Sequence, residues 1–157
     1  YGDGIDTDCD KFDCEAAYDS NNVYFSVCIE TAEQDFLTVE SHCLDSGYDG
    51  VSLPLNDVEN DWIFLLSQSI WSQKPVSNYS IRLGGTDAVQ EGIWLHDRTG
   101  NELSYLNWPS SGVEPTNSYG NEHCINMIGD INYNGVWQDL GCHAPSNAAY
   151  AWSCEKR

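Results

Sequence analysis

Eight of the oxygen-bearing side chains between Thr86 and Asp139 are candidates to bind a cation. This segment ends in the triplet Trp137-Gln138-Asp139. The eight side chains offer carboxylate, amide and hydroxyl oxygens and no thiolate or imidazole. Hard donors of this kind suit Ca²⁺ better than a softer metal. The sequence therefore predicts calcium binding by residues drawn from Asp87, Glu91, Glu114, Thr116, Asn117, Glu122, Gln138 and Asp139.

The chain has 157 residues, with six Trp, nine Tyr and four Phe, which predicts one folded domain with its own core. Its 25 acidic residues against six basic ones give a net charge of -19. This charge repels phosphate backbones and anionic lipid, so neither nucleic acid nor a membrane surface is an expected partner. Cations, and neutral ligands held through cations, fit it better.

Seven scattered cysteines indicate disulfides formed in an oxidising compartment, since no Cys-x-x-Cys metal or redox motif is present. The odd number leaves one thiol over. Cys9 or Cys14, both in the acidic N-terminal segment, is the expected spare, either free or capped or linking two chains. No apolar run approaches the ~18 to 20 residues that span a bilayer. A mature, processed N-terminus is expected at Tyr1, and a glycosylation sequon at Asn78 agrees with secretion.

Helical periodicity occurs twice and is followed by short strands, which predicts an α+β domain. A strand is expected at Val23-Val27 and a helix at Phe36-Cys43, with Gly47 as its stop. A second helix runs to Trp71, with Asn56 as N-cap and Glu59 as its capping-box partner. The later strands are expected at Ile81-Leu83, Ile93-Leu95, Cys124-Ile128, Gly135-Gln138 and Tyr150-Cys154.

No pattern in the chain favours catalysis. A sugar hydrolase needs two carboxylates across a cleft, one with a raised pKa, and the clustered acids are better explained as metal ligands. The four histidines lack the paired spacing of a zinc or nucleophile site, so surface or structural roles are expected for His42, His96, His123 and His143.

Several spaced motifs together resemble the C-type lectin domain, in its long form, from about Cys14 to Glu155. These motifs are the helix that ends in Cys43, Leu83-Gly84-Gly85-Thr86-Asp87, Glu91-Gly92-Ile93-Trp94, Leu103-Ser104-Tyr105-Leu106-Asn107-Trp108, Glu114-Pro115, Glu122-His123-Cys124, Trp137-Gln138-Asp139, Cys142 and Cys154-Glu155.

The resemblance implies a fold of two helices and two small antiparallel sheets with a long calcium-binding loop. The domain would occupy residues 14–157, after an acidic arm at residues 1–13. It implies the disulfides Cys43-Cys154 and Cys124-Cys142, and an N-terminal hairpin bridge Cys14-Cys28, although Cys28 lies five positions later than in the family. Cys9 would then be the spare or interchain cysteine. Trp94, Trp108 and Trp137 would pack in the core.

The resemblance also implies calcium ligands. The sugar-site ion would be held by Glu114, Thr116, Glu122, Gln138 and Asp139. An auxiliary ion would be held by Asp87, Glu91, Asn117 and Glu122. Two residues depart from the family pattern: Thr116 replaces Asn or Asp, and Gln138 replaces Asn.

The function expected from the resemblance is that of a secreted, calcium-dependent lectin that binds glycans on cell surfaces or glycoproteins. Glu114, Thr116, Tyr119, Glu122 and Gln138 would contact the sugar. Tyr119 is placed to stack on the apolar face of galactose, which favours galactose over mannose. The alternatives are mannose-type specificity or a non-sugar protein- or mineral-binding module. Because single sites are weak, a homo-oligomer is expected, with a disulfide through the spare cysteine as one route.

Overall fold

Two helices lie where the sequence periodicity predicts them. The computed structural model describes residues 13–18, 23–73, 80–143 and 149–157. Helix α1 spans Phe36–Asp45, and helix α2 spans Asp57–Gln73. Within these residues neither helix is long and apolar enough to cross a membrane. Cys9, Asn78 and residues 1–12 of the acidic arm lie outside the described residues, and the proposed domain boundary at residue 14 stays a prediction.

Within the described ranges, eight strands pair into a sheet. They are β1 Asp13–Tyr18, β2 Tyr24–Gln34, β3 Gly50–Val51, β4 Ser80–Thr86, β5 Leu95–His96, β6 Cys124–Ile128, β7 Trp137–Leu140 and β8 Ala149–Lys156. The main path runs β1-β2-β8-β4-β6-β7, with β3 on β8 and β5 on β4. The α+β fold class is confirmed. The two expected antiparallel sheets are continuous with each other, because β4 pairs in parallel with β8 at their junction.

Two predicted strands lie elsewhere along the chain. The strand expected at Ile93-Leu95 is reduced to β5, because Gly92 has a φ of +78° and holds the preceding residues in a turn. The strand expected at Gly135-Gln138 begins two residues later, since Gly135 has a φ of +70° and Ile128 pairs with Val136 as the turn closes. The shift matters because it places Asp139 inside β7.

The start of α2 is capped as the sequence predicts. Asn56 Oδ1 accepts a hydrogen bond from the Glu59 N–H at 3.0 Å. The Glu59 carboxylate bonds the N–H of Leu55 at 2.9 Å instead of the N–H of Asn56 itself. The cap is therefore formed, but its reciprocal half is displaced by one residue because Glu59 is also held by Arg157.

The sheet separates two apolar clusters. The larger cluster joins α2 to the sheet through residues such as Ile63, Ile81, Leu83 and Trp137, all fully buried. The smaller one packs α1 against Trp152 and the disulfide Cys43–Cys154. Burial of these side chains is the main favourable contribution to folding.

The three disulfides join the pairs that the resemblance implies: Cys14–Cys28, Cys43–Cys154 and Cys124–Cys142. The late position of Cys28 is accommodated by the β1–β2 register, which puts Cys14 directly opposite Cys28. Cys124–Cys142 ties the start of β6 to the residues that follow β7. The two strands that border the predicted calcium loop are thus covalently linked.

The C-terminus is held by a buried network of ion pairs. Glu155 is fully buried, and its two carboxylate oxygens contact Arg98 at 2.6 Å and Arg157 at 3.1 Å. Arg157 also pairs with Glu59 of α2 at 2.6 Å. Each carboxylate of this network therefore has a guanidinium partner.

Candidate calcium-binding loop

Asp139 anchors the calcium loop, residues 114–122, which carries four of the predicted ligands. It lies in β7 and is 2% exposed. Its Oδ1 accepts the Thr116 N–H at 2.8 Å, and its Oδ2 accepts the Asn117 N–H at 2.6 Å. These bonds hold the backbone of the loop against the edge strand, so one predicted ligand positions two others.

Trp137 fixes β7 two residues before Asp139, on the same buried face of the strand. Its indole N–H donates to Asn60 Oδ1 of α2 at 2.8 Å. Its ring also packs edge-on against Trp108, with centroids 5.9 Å apart, and Trp108 in turn packs against Trp94 at 5.0 Å. The three tryptophans are packing residues, as the resemblance implies.

Glu122 organises the turn that follows. Its Oε2 accepts the Ser118 N–H at 2.6 Å and the Thr116 hydroxyl at 3.2 Å, and its own N–H donates to Asn117 Oδ1 at 3.1 Å. Asn117 has a φ of +44°, a left-handed conformation that asparagine tolerates better than most residues. Glu122 is 6% exposed, so its negative charge is largely removed from solvent.

Glu114 has a carboxylate oxygen without a donor. Its Oε2 is buried and accepts no hydrogen bond from any described residue. Burial raises the pKa of Glu114 to about 7, and the neighbouring carboxylates of Asp139 and Glu122 add to the effect. A buried, unpartnered oxygen beside two other acids is costly unless a cation neutralises it.

These carboxylates lack a protein counter-charge. Among the described residues, no Lys, Arg or His forms an ion pair with Glu114, Glu122 or Asp139. The donors that reach them are backbone N–H groups and the Thr116 hydroxyl. Carboxylate and hydroxyl oxygens, with Glu114 Oε2 free of hydrogen bonds from the described residues, are ligands that fit a calcium ion. Glu114, Glu122, Asp139 and Thr116 are therefore brought together as predicted.

The side-chain hydrogen bond of Gln138 is made to β4 and not to this cluster. Its Nε2 lies 3.4 Å from Ser80 Oγ in β4, and its backbone pairs with Asn126. Tyr119 lies in a short 3-10 turn, Ser118–Gly120, but its side chain is outside the described part of the structure. The predicted stacking of Tyr119 on a sugar stays a prediction.

The predicted auxiliary ligands lie beside the first group. Asp87 is 1% exposed; its Oδ2 accepts the Gly92 N–H at 2.8 Å, and its Oδ1 lies 3.0 Å from His123 Nδ1. Asn117 Nδ2 donates to Glu91, and Glu91 Oε2 lies 3.7 Å from the same His123 nitrogen.

His123 therefore has a place in the site that the sequence analysis did not give it. Its position between Glu122 and the first residue of β6 was the available signal.

Comparisons with known proteins agree with this architecture. No protein-family model matches the chain. Ladderlectin of Oncorhynchus mykiss is 31% identical over 114 residues, which are 73% of this chain and 54% of ladderlectin. The chain thus spans about half the length of that curated relative.

Solved structures share the fold. The cow C-type carbohydrate-recognition domain of CD23, crystallised with a GlcNAc2Man3 oligosaccharide, matches with a TM-score of 0.65 at 18% identity and covers 90% of this chain and 92% of its own. The herring type II antifreeze protein matches with a TM-score of 0.60 at 17% identity and covers 84% and 90%. These likenesses show that the chain has the C-type lectin fold, and the ladderlectin match agrees with it.

Proposed function

We propose that this protein is a secreted lectin that recognises glycans through a calcium ion held by the loop. The observation that carries the proposal is the buried, unpartnered Oε2 of Glu114 beside Asp139 and Glu122, in a cluster without a protein cation among the described residues. Glu114, Thr116, Glu122 and Asp139 would form the sugar-site ligand set. Gln138 would contribute only weakly to it, because its amide must first leave Ser80. The proposed activity is binding and not catalysis.

When bound, calcium supplies coordination positions for two neighbouring sugar hydroxyls. The side chains around it would fix the direction of each hydroxyl proton. Glu114, as a carboxylate, would accept a hydrogen bond from one sugar hydroxyl. Asp139 accepts the N–H groups of Thr116 and Asn117 and so holds these two residues in place. Recognition would therefore depend on both the ion and the rigid loop.

The Thr116 hydroxyl bears on the choice of sugar. It donates to Glu122 Oε2 at 3.2 Å and lies 3.1 Å from Ser118 Oγ, so its proton is engaged within the loop. The donor that ends the mannose-type Glu-Pro-Asn motif is then absent. This favours galactose-type glycans, with Tyr119 as the proposed stacking ring. Mannose-type binding would require the Thr116 hydroxyl to turn away from Glu122.

The rival proposal is a non-sugar role on the same fold. The match to a herring antifreeze protein shows that this fold is not confined to proteins named for sugar binding. Calcium dependence and sugar competition together separate the two proposals, since a protein- or mineral-binding surface would not be displaced by a free monosaccharide.

A glycan array probed in calcium and again with a chelator tests the proposal. We expect a signal that the chelator abolishes and that is confined to terminal galactose structures. Glu114→Gln should lose this signal with the fold intact. Glu102→Gln is the matched control, because Glu102 is an exposed glutamate that is not one of the predicted calcium ligands. Binding that persists in Glu114→Gln or in chelator would overturn the proposed site.

We further propose that the protein acts as a homo-oligomer on cell surfaces or glycoproteins, because shallow single sites need avidity. Cys9 is the proposed interchain cysteine, since the other six form intrachain disulfides. Sedimentation with and without reductant, compared with Cys9→Ser, tests this. A monomer that still agglutinates cells would contradict it.

A further inference from the structure

The auxiliary group contains a donor set that calcium does not prefer. Asp87 Oδ1, Glu91 Oε2 and His123 Nδ1 all lie within 4.8 Å of one another. Two oxygens and an imidazole nitrogen are ligands for a first-row divalent transition ion such as Zn²⁺, whereas Ca²⁺ takes oxygen. The imidazole is therefore the feature that distinguishes this cluster from the loop group of Glu114 and Glu122.

The spacing of the donor atoms fits such an ion. Zinc binds nitrogen and oxygen at ~2.1 Å, so two ligand atoms lie ~3.0 Å apart at right angles and ~3.4 Å apart in a tetrahedron. His123 Nδ1 lies 3.0 Å from Asp87 Oδ1 and 3.7 Å from Glu91 Oε2. Glu91 has a side chain that is 56% exposed, so it can close the remaining gap by a small rotation.

The surrounding hydrogen bonds orient these ligands. The Gly92 N–H holds Asp87 Oδ2 at 2.8 Å and leaves Oδ1 facing His123. The carbonyl of His123 accepts the Asp87 N–H at 3.3 Å and the Thr86 hydroxyl at 2.6 Å, which fixes β6 to the end of β4. Asn117 Nδ2 holds Glu91. Ligands fixed by partners of this kind bind metal more tightly than free ones.

The four predicted auxiliary calcium ligands form two pairs with different neighbours. Asn117 Oδ1 accepts the Glu122 N–H, which places these two residues within the loop. Asp87 and Glu91 instead both face the imidazole of His123, so the ion that they bind would have a nitrogen ligand.

We propose that Asp87, Glu91 and His123 bind a zinc-type divalent ion, separate from the sugar-site calcium, with water completing its coordination. The inference does not rest on the proposed lectin activity. Bound there, the ion would join the end of β4 to the start of β6 and steady Asn117 through Glu91.

Zinc titration calorimetry in excess calcium tests the proposal, with Cys9→Ser as the background so that a spare thiol is absent. We expect one saturable equivalent. His123→Gln should weaken it at least ~10-fold, because it removes the only nitrogen ligand. His96→Gln is the matched control: His96 Nδ1 lies 3.0 Å from Asp97 Oδ1, the same separation as in the proposed site. It should change the affinity less than ~2-fold, because no third His, Cys, Asp or Glu of the described residues lies close enough to share an ion with this pair.

Cobalt absorption gives a second readout that needs no sugar. Bound Co²⁺ should show ligand-field bands without thiolate charge transfer in the wild type, and these should be lost in both His123→Gln and the exposed-residue variant Glu91→Gln. Glu114→Gln should retain the zinc equivalent while it loses glycan binding. Absence of a saturable equivalent, displacement of zinc by calcium, or unchanged affinity in His123→Gln would each overturn the proposal.

Discussion

Two groups of buried acidic side chains in this domain differ in the partners that balance their charge. Glu155 and Glu59 are buried, and each contacts a guanidinium at 2.6 Å. Glu122 and Asp139 are equally well buried, but within the described residues they are held by N–H and hydroxyl donors alone. Acidic residues of similar burial thus have positively charged partners in one region and, among the described residues, none in the other.

The pKa shifts differ accordingly. Burial lowers the pKa of Arg157, but the hydrogen bond to Glu59 and the charge on Glu155 outweigh it and raise that pKa above its usual range. At the loop, burial and the adjacent acids raise the pKa of Glu114 to about 7. The first arrangement favours the charged state and holds the fold together, whereas the second disfavours it until a cation arrives.

The largest expected effect is in the paired group. Glu155→Ala leaves Arg98 and Arg157 without their shared partner, and breaking a buried ion pair in this way costs ~3 to 5 kcal/mol. Urea unfolding should show this loss equally in calcium and in chelator, because Glu155 lies outside the loop. Glu102→Ala, at an exposed position, should change stability by less than ~0.5 kcal/mol. A loss seen only in calcium would contradict the separation of the two groups.

Calcium itself should stabilise only through the unpaired group. At a free concentration one hundred times the dissociation constant, a ligand of the native state adds ~2.7 kcal/mol to the free energy of unfolding. Glu114→Gln should lose most of this gain. In chelator the same variant should be at least as stable as the wild type, because it removes one of three mutually repelling carboxylates. A variant that is weaker in chelator as well would show that Glu114 is a structural residue.

The pH dependence without calcium follows from the same repulsion. The pKa of Glu114 rises from 4.5 to about 7 on folding, so the folded protein binds more protons than the unfolded chain between these values. Stability should therefore fall as the pH rises from about 4.5 to about 7. Since Glu114 is partly exposed, screening reduces the effect to ~1 kcal/mol. Chemical unfolding across this range should show the fall in the wild type and not in Glu114→Gln.

Strongly patterned elements of the fold were predictable from the sequence. The helix expected at Phe36-Cys43 is confirmed as Phe36–Asp45, and the strand expected at Cys124-Ile128 has the predicted bounds. By contrast, β3 contains only two residues and is defined by its pairing with β8, so no local signal marks it. The union of the two expected sheets depends likewise on a pairing between strands distant in sequence, β4 and β8.

The types of ligand in the site were predictable, but their mutual contacts were not. Asp139 accepts N–H groups more than twenty positions away in the chain, and the fold alone brings them together. His123 reaches Asp87 across 36 positions for the same reason. Residue type and spacing indicate which atoms can bind an ion, whereas the free or engaged state of each atom depends on the packed loop.

The smallest expected effect concerns Gln138, where the family pattern and the observed hydrogen bond disagree. A full calcium ligand should cost at least ~10-fold in calcium affinity when it is removed. Gln138 Nε2 lies at 3.4 Å from Ser80 Oγ, a long and weak bond, so its side chain can reach the loop only by giving up that contact. We therefore expect Gln138→Ala to weaken calcium binding by ~3-fold or less. Ser80→Ala should leave the affinity unchanged or raise it slightly, because it frees the amide. Calorimetry on both variants distinguishes the cases: a loss of tenfold or more in Gln138→Ala would show that the amide moves to the ion and that the loop group extends into the sheet.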